Sequence, residues 1–254
     1  MRVQPFSFIK EPVVEEAGGF PTLTGTLVDY WRADQGITLS GANVIEWEGQ
    51  ENGNVLEDAT VGPTVSGSNA GFNNVDTLTF DGSTQGMGKI FSNLGGTDTG
   101  DVYMCMYGAP HPSPTAGFGS IHGLSGLASP FDFVEATMRG ETSSIISVWT
   151  NPNVSSNDDT YGKGLYTLAV GDNDPNGMTF FNKGTTINAS RSPYSPYKTT
   201  RQGYTVGCYN FETGGSLHGK VDVAGIAIFV NPPNATGRNQ DITAINTYFA
   251  SIFG

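Results

Sequence analysis

Positive charge is scarce in this chain. Of 254 residues only 12 are Lys or Arg, against 24 Asp or Glu, so the formal net charge is −12. A phosphate backbone repels such a chain, and nucleic acid is excluded as an expected partner. Charge of either sign is thin, at 14%, where about 25% is usual. Long apolar runs are missing as well. No window approaches the run of about 18 apolar residues that a membrane-spanning helix needs, so no membrane partner is expected. The opening Met1-Arg2-Val3-Gln4-Pro5-Phe6-Ser7-Phe8-Ile9-Lys10-Glu11 lacks the apolar stretch of a secretory signal. The expectation is a protein made in a cytoplasm and not exported by that route.

Cysteine is limited to Cys105 and Cys208. Without a Cys-x-x-Cys or a His/Cys cluster, a structural zinc site is not expected. The two thiols read either as small buried apolar groups or as a disulfide between neighbouring strands, which a cytoplasmic origin disfavours. Catalytic and phosphate-binding motifs are also missing. There is no Gly-x-x-x-x-Gly-Lys-Ser/Thr and no Gly-x-Ser-x-Gly. His111, His122 and His218 have no acidic or serine partner at motif spacing and read as surface or loop histidines. The sequons at Asn153, Asn188 and Asn234 read as chance matches in a chain without a secretory signal.

What the chain does have is backbone punctuation and aromatic residues: 35 Gly, 14 Pro, 15 Phe, 10 Tyr and 3 Trp. Glycine and proline at this level break long helices, and the aromatic content argues against disorder. The period is two over much of the chain. Leu27–Trp31, Asn43–Glu48, Asp76–Phe80, Asp101–Tyr107, Ser144–Trp149, Gly164–Val170, Met178–Phe181, Gly203–Tyr209 and Lys220–Val230 read as strands bounded by turn residues. One helix is expected, over 239–253. Its apolar residues Ile242, Ile245, Tyr248, Phe249 and Ile252 share a face, with Asn239 or Asp241 as the cap. Many strands, one terminal helix and no βαβ rhythm predict an all-β, antiparallel two-sheet sandwich. Residues 1–22 stand apart as an extended arm, followed by one domain over 23–254. Phe6, Phe8 and Ile9 are the residues by which that arm would dock on a partner.

Particular segments resemble a known family. Leu27-Val28-Asp29-Tyr30-Trp31-Arg32-Ala33-Asp34 followed by Val44-Ile45-Glu46-Trp47, then Phe80-Asp81-Gly82, then Gly219–Phe229 and the terminal helix, are similar to laminin-G-like, concanavalin A-like jelly-roll modules. Ala224 departs from the pattern, standing where an acidic residue is common. The resemblance implies a lectin-like jelly roll. A short aromatic arm leading into such a module is also similar to bacteriophage virion proteins. That implies a structural or interaction protein, decorating a capsid or associated with a tail. It would be mounted on other virion proteins through the arm, as a homo-oligomer, and located in the virion. A second reading on the same scaffold is an adhesion module that binds a bacterial surface glycan.

Candidate sites follow from these readings. A sugar site needs an aromatic platform and amide or carboxylate hydrogen bonds. Trp149 and Asn151, with Tyr194 and Tyr197 of the repeated Ser-Pro-Tyr stretch, are the candidates, and core packing or a protein contact is the competing reading for each. No cofactor is required. Calcium is the one candidate metal, through Asp172 and Asp174 in Asp172-Asn173-Asp174-Pro175-Asn176-Gly177. That composition equally suits a hairpin turn. Glycoside hydrolases on this fold commonly pair carboxylates along one strand. The nearest pair here, Glu46 and Glu48, reads as a solvated face opposite a core Trp47. On these grounds the chain is expected not to be an enzyme.

Overall fold

The computed structural model describes residues 19–91, 101–111, 118–126, 136–141, 146–150, 156–158, 162–170, 178–182, 185–187, 202–208 and 217–254. Two antiparallel layers are built from them. The first runs, edge to edge, through β5 (Thr64–Asn69), β6 (Val75–Asp81), β17 (Lys220–Val230), β8 (Val102–Pro110), β13 (Gly164–Val170), β14 (Met178–Asn182) and β15 (Thr185–Ile187). β1 (Thr26–Arg32) takes over from β6 beside the second half of β17. The second layer runs through β2 (Ile37–Ser40), β3 (Asn43–Glu48), β4 (Val55–Asp58), β7 (Met87–Phe91), β16 (Gln202–Val206), β9 (Phe118–Gly126), β10 (Ala136–Glu141), β11 (Ile146–Thr150) and β12 (Ser156–Asp158). The layers touch along one edge, where Asn43 pairs with Thr64. The all-β sandwich with a C-terminal helix is therefore the fold, consistent with the expected jelly roll.

Alternation places the core. Trp31, Val44, Trp47, Leu56, Leu78, Phe80, Met104, Met106, Val221, Ile226 and Ile228 meet between the layers. The opposite faces of β8 and β17 are also buried. There Tyr103, Cys105, Tyr107, Ala227 and Phe229 pack under the helix α1 (Ala235–Phe253), against Ile242, Ile245, Phe249 and Phe253. Among the described residues there are thus three layers over this region, which explains why β8 reads as a continuous apolar run.

β17 changes phase part-way. Val221 and Val223 face the sandwich core, and so do Ile226, Ile228 and Val230, because a bulge lies between Val223 and Gly225. Such an insertion flips the alternation. It turns Ala224, fully buried, toward the helix, where a carboxylate would lose its hydration without a partner. Gly225 serves the same contact: a Cβ there would lie 2.4 Å from the Phe249 ring.

The helix begins earlier than its apolar spacing suggests. Asn234 caps it, accepting from the Gly237 N–H at 2.9 Å. Asp241 is not a cap. It is buried and accepts from Thr24 N (2.7 Å), Thr24 Oγ1 (2.9 Å) and Gly25 N (2.9 Å), tying the helix to the start of β1. Just before that point Phe20 stacks on Tyr30 with centroids 4.1 Å apart and meets Tyr248 edge-on at 5.1 Å. Phe20 of the expected arm therefore packs against the domain. The anchors Phe6, Phe8 and Ile9 fall outside the described residues.

Cys105 and Cys208 are free and buried, so the disulfide alternative is set aside. Burial pushes both thiols up to about 12, which leaves them unreactive at neutral pH.

Candidate functional site

The outer face of the first layer is only partly covered by α1. At the end that no other described residue covers, polar residues alternate with the core residues of β6 and β17. Thr79 and Asp81 lie between and beyond Leu78 and Phe80. Lys220 and Asp222 flank Val221. Two rows result. Thr79, Asp222 and Ala109 are in register across β6, β17 and β8. One step along, Asp81 pairs with Lys220, and the Lys220 carbonyl accepts the His111 N–H at 3.0 Å.

The centre of this patch is Asp222. Thr79 Oγ1 donates to its Oδ1 at 2.7 Å, and His111 Nε2 lies 2.9 Å from its Oδ2. The two ionisable side chains are part-exposed, at 39% for His111 and 21% for Asp222. Burial alone would raise the Asp222 carboxyl. Hydrogen bonds from His111 and Thr79, with the charges of His111 and Lys220, outweigh it and hold the group below its ordinary value. Asp222 is therefore an ionised acceptor at neutral pH, fixed in orientation. Gly108 lets β8 approach here, because a Cβ would sit 2.5 Å from the Asp222 carbonyl oxygen.

Asp81 is turned into its own loop. It accepts from the backbone of Ser83, Thr84 and Gln85 and from the hydroxyls of Ser83 and Thr84. Burial opposes ionisation, but those five donors hold the carboxyl far below its ordinary value. The Phe80-Asp81-Gly82 stretch that carries the family resemblance is thus a self-satisfied turn.

The remaining expectations sort as follows. Trp149 lies on β11 with its backbone opposite Thr137. Asn151, Tyr194, Tyr197, Asp172 and Asp174 fall outside the described residues. Among the described residues no group of three or more His, Cys, Asp or Glu is placed to hold a metal ion, and no helix is long and apolar enough to cross a membrane. Glu46 and Glu48 are exposed on the outer face of the second layer, and Trp47 between them is fully buried. Its Nε1 donates to the Arg32 carbonyl at 2.9 Å.

Motif reasoning missed the His111–Asp222 pair because the two residues are 111 positions apart. One signal was present. In Lys220-Val221-Asp222-Val223 a single carboxylate interrupts an apolar alternation, which marks a residue facing out of the sheet.

No family model matches the chain, and no curated relative does. Solved structures share its fold. Trypanosoma rangeli sialidase in complex with sialic acid superposes with a TM-score of 0.59 at 12% identity, over 91% of this chain and 34% of that one. The same sialidase with the inhibitor DANA gives 0.55 at 12% identity, over 92% and 35%. This chain therefore spans about a third of the sialidase chains it matches. A carbohydrate esterase from the Shiga toxin-encoding bacteriophage phi24B fits more loosely, with a TM-score of 0.46 at 13% identity over 82% of this chain and 99% of that one, and adds nothing to the fold assignment.

One expectation is corrected here. The chain was expected not to be an enzyme, with glycan hydrolysis the remotest reading. The solved chains that share its fold include sialidases, so this architecture is no argument against glycan processing. The expectation failed because it rested on the absence of motifs local in sequence. A strand without a Glu-x-Asp-x-Glu pattern lacks one arrangement of carboxylates, and His111 with Asp222 shows that ionisable groups distant in sequence still converge.

Proposed function

We propose that this chain is a carbohydrate-recognition module that binds a bacterial surface glycan. The observation that carries the reading is the polar patch at the end of the first layer that no other described residue covers. There a fixed ionised carboxylate, a hydroxyl and an ammonium on strands stand together with an imidazole just beyond the end of β8. Sugars are recognised by such convergent donors and acceptors, and strands hold them more accurately than loops. The fold shared with a sialidase solved in complex with sialic acid supports a sugar ligand in general. Trp149, Asn151, Tyr194 and Tyr197 remain proposed as an aromatic and amide contribution, and Asp172 and Asp174 as a calcium site.

The test is binding of the full chain to immobilised bacterial oligosaccharides, with released sugar assayed in the same wells and a chelator in parallel. The expected result is saturable binding to at least one glycan. Absence of binding to every glycan on the panel would remove the reading, and released sugar would extend it to processing.

The module's mounting is a separate proposal. Its basis is the sequence resemblance to phage virion proteins, together with the firm anchorage of Phe20, Thr24 and Gly25 on the domain. Under this proposal Phe6, Phe8 and Ile9 engage other virion proteins, and the assembled form is a homo-oligomer. Removing residues 1–18 should abolish association with the particle and leave the melting temperature unchanged. Retained association would contradict it.

A further inference from the structure

We propose that the Thr79–Asp222–His111–Lys220 patch is itself the sugar site, and that it selects uncharged, hydroxyl-rich sugars over acidic ones. The inference rests on the carbohydrate-recognition reading and adds a location and a chemical class to it.

The layout is fixed by the sheet. Neighbouring strands lie about 4.8 Å apart and alternate residues about 6.7 Å apart along a strand. Two rows of three residues, Thr79–Asp222–Ala109 and Asp81–Lys220–His111, therefore span a rectangle of roughly 10 Å by 7 Å. That is the footprint of one or two sugar rings. Ala109 is the smallest side chain in the patch and sits, partly buried, at the margin of the helix-side core. Around it stand groups of both hydrogen-bonding kinds. Each Asp222 oxygen accepts one bond from protein and keeps a lone pair for a ligand hydroxyl. Lys220 is exposed and offers three donors.

Charge decides the class of sugar. Asp222 is ionised and faces outward, and Asp81 stands in the next row as a second carboxylate. Lys220 lies between them, paired in register with Asp81 and near enough to Asp222 to favour its ionised form. Two carboxylates thus face one ammonium, on a chain of net charge −12. The carboxylate of an acidic sugar would meet like charge at short range in a part-desolvated setting, where such repulsion is strong. A neutral polyol meets only donors and acceptors. The site is therefore of the opposite preference to one that captures sialic acid.

The experiment compares the intact chain with Asp222→Asn and Lys220→Ala on immobilised neutral oligosaccharides of galactose, mannose and N-acetylglucosamine, each with its sialylated counterpart, at pH 8. Thermal melts confirm that both variants fold. The proposal expects neutral glycans to bind at least tenfold more tightly than their sialylated forms. It also expects each variant to lose at least fivefold in affinity, and Asp222→Asn to narrow the neutral-over-acidic ratio. Folded variants that bind as tightly as the parent would overturn the location and leave the carbohydrate reading standing. Tighter binding of sialylated glycans would overturn the chemical class. Failure of the parent chain to bind any glycan would overturn both this inference and the reading beneath it.

Discussion

Replacing Asp29 by alanine should destabilise the protein by about 3 kcal/mol, the scale on which buried charged networks fail when one partner is removed. Asp29 is fully buried in β1, and the loop 49–54 is wrapped around it. It accepts from Glu51 N at 3.0 Å, Asn54 N at 2.8 Å and Asn54 Nδ2 at 3.0 Å, besides its neighbour Tyr30 N at 2.9 Å. The loop held in this way has a second task, since the Asn54 carbonyl accepts from Trp31 Nε1 and from Gly49 N. Alanine would strand those donors and loosen the loop from a core tryptophan. Gly49 packs directly on the carboxylate, where a Cβ would lie 2.3 Å from its carbon. Urea unfolding followed by tryptophan fluorescence measures the loss. A change below about 1 kcal/mol would show that water replaces the carboxylate without cost.

Mild acid should weaken the protein through His122. This residue is fully buried in β9, opposite Val206 in β16, with the Tyr204 ring 6.3 Å away. Burial pushes the imidazole down to about 3 from its ordinary 6.5. The folded state thus binds the proton less readily than the unfolded chain, and stability falls as pH falls. The contribution is whole above pH 6.5 and is lost progressively between there and pH 3, at up to about 1.4 kcal/mol per pH unit. Between pH 7.5 and pH 5 the loss should be about 2 kcal/mol. The carboxylates held low, Asp222 and Asp81, act with the same sign but around and below their unfolded value of 3.8, outside this window. Denaturant midpoints at pH 7.5 and pH 5 read the effect, and His122→Phe should flatten the difference. An equal difference in that variant would assign the acid sensitivity elsewhere.

Much of the fold was legible in the sequence, and what was hidden has identifiable causes. Strands such as Asn43–Glu48, Gly164–Val170 and Lys220–Val230 were read at the bounds the structure shows, because one face of each must be apolar. β9 is not among the strands expected from the sequence. Phe118-Gly119-Ser120-Ile121-His122-Gly123 has too many small residues to show a period. β2, β4 and β7 are four or five residues long, too short for alternation to register. The helix was legible from its buried face, but its true start at Asn234 was masked by the two prolines before it. Asp241 read as a cap because acidic residues near a helix start usually are. Its actual role, holding Thr24 and Gly25, depends on a contact 217 residues away.

The site was less legible for the same reason. Thr79 and Asp222 lie on two strands, and His111 follows the end of a third, whose order comes from the packing of the whole sheet. Nothing in their own neighbourhoods shows that they meet. The bulge at Ala224 adds to this, since it sets which face Asp222 presents relative to the helix-covered half of β17.

The most direct measurement is a backbone amide chemical-shift map of the intact chain titrated with a neutral oligosaccharide. The account predicts concentration-dependent shifts gathered at Thr79, Ala109, His111, Lys220 and Asp222, with the helix-covered residues around Cys105 and Phe229 unmoved. Saturating shifts confined to another surface, with these five residues silent, would contradict it.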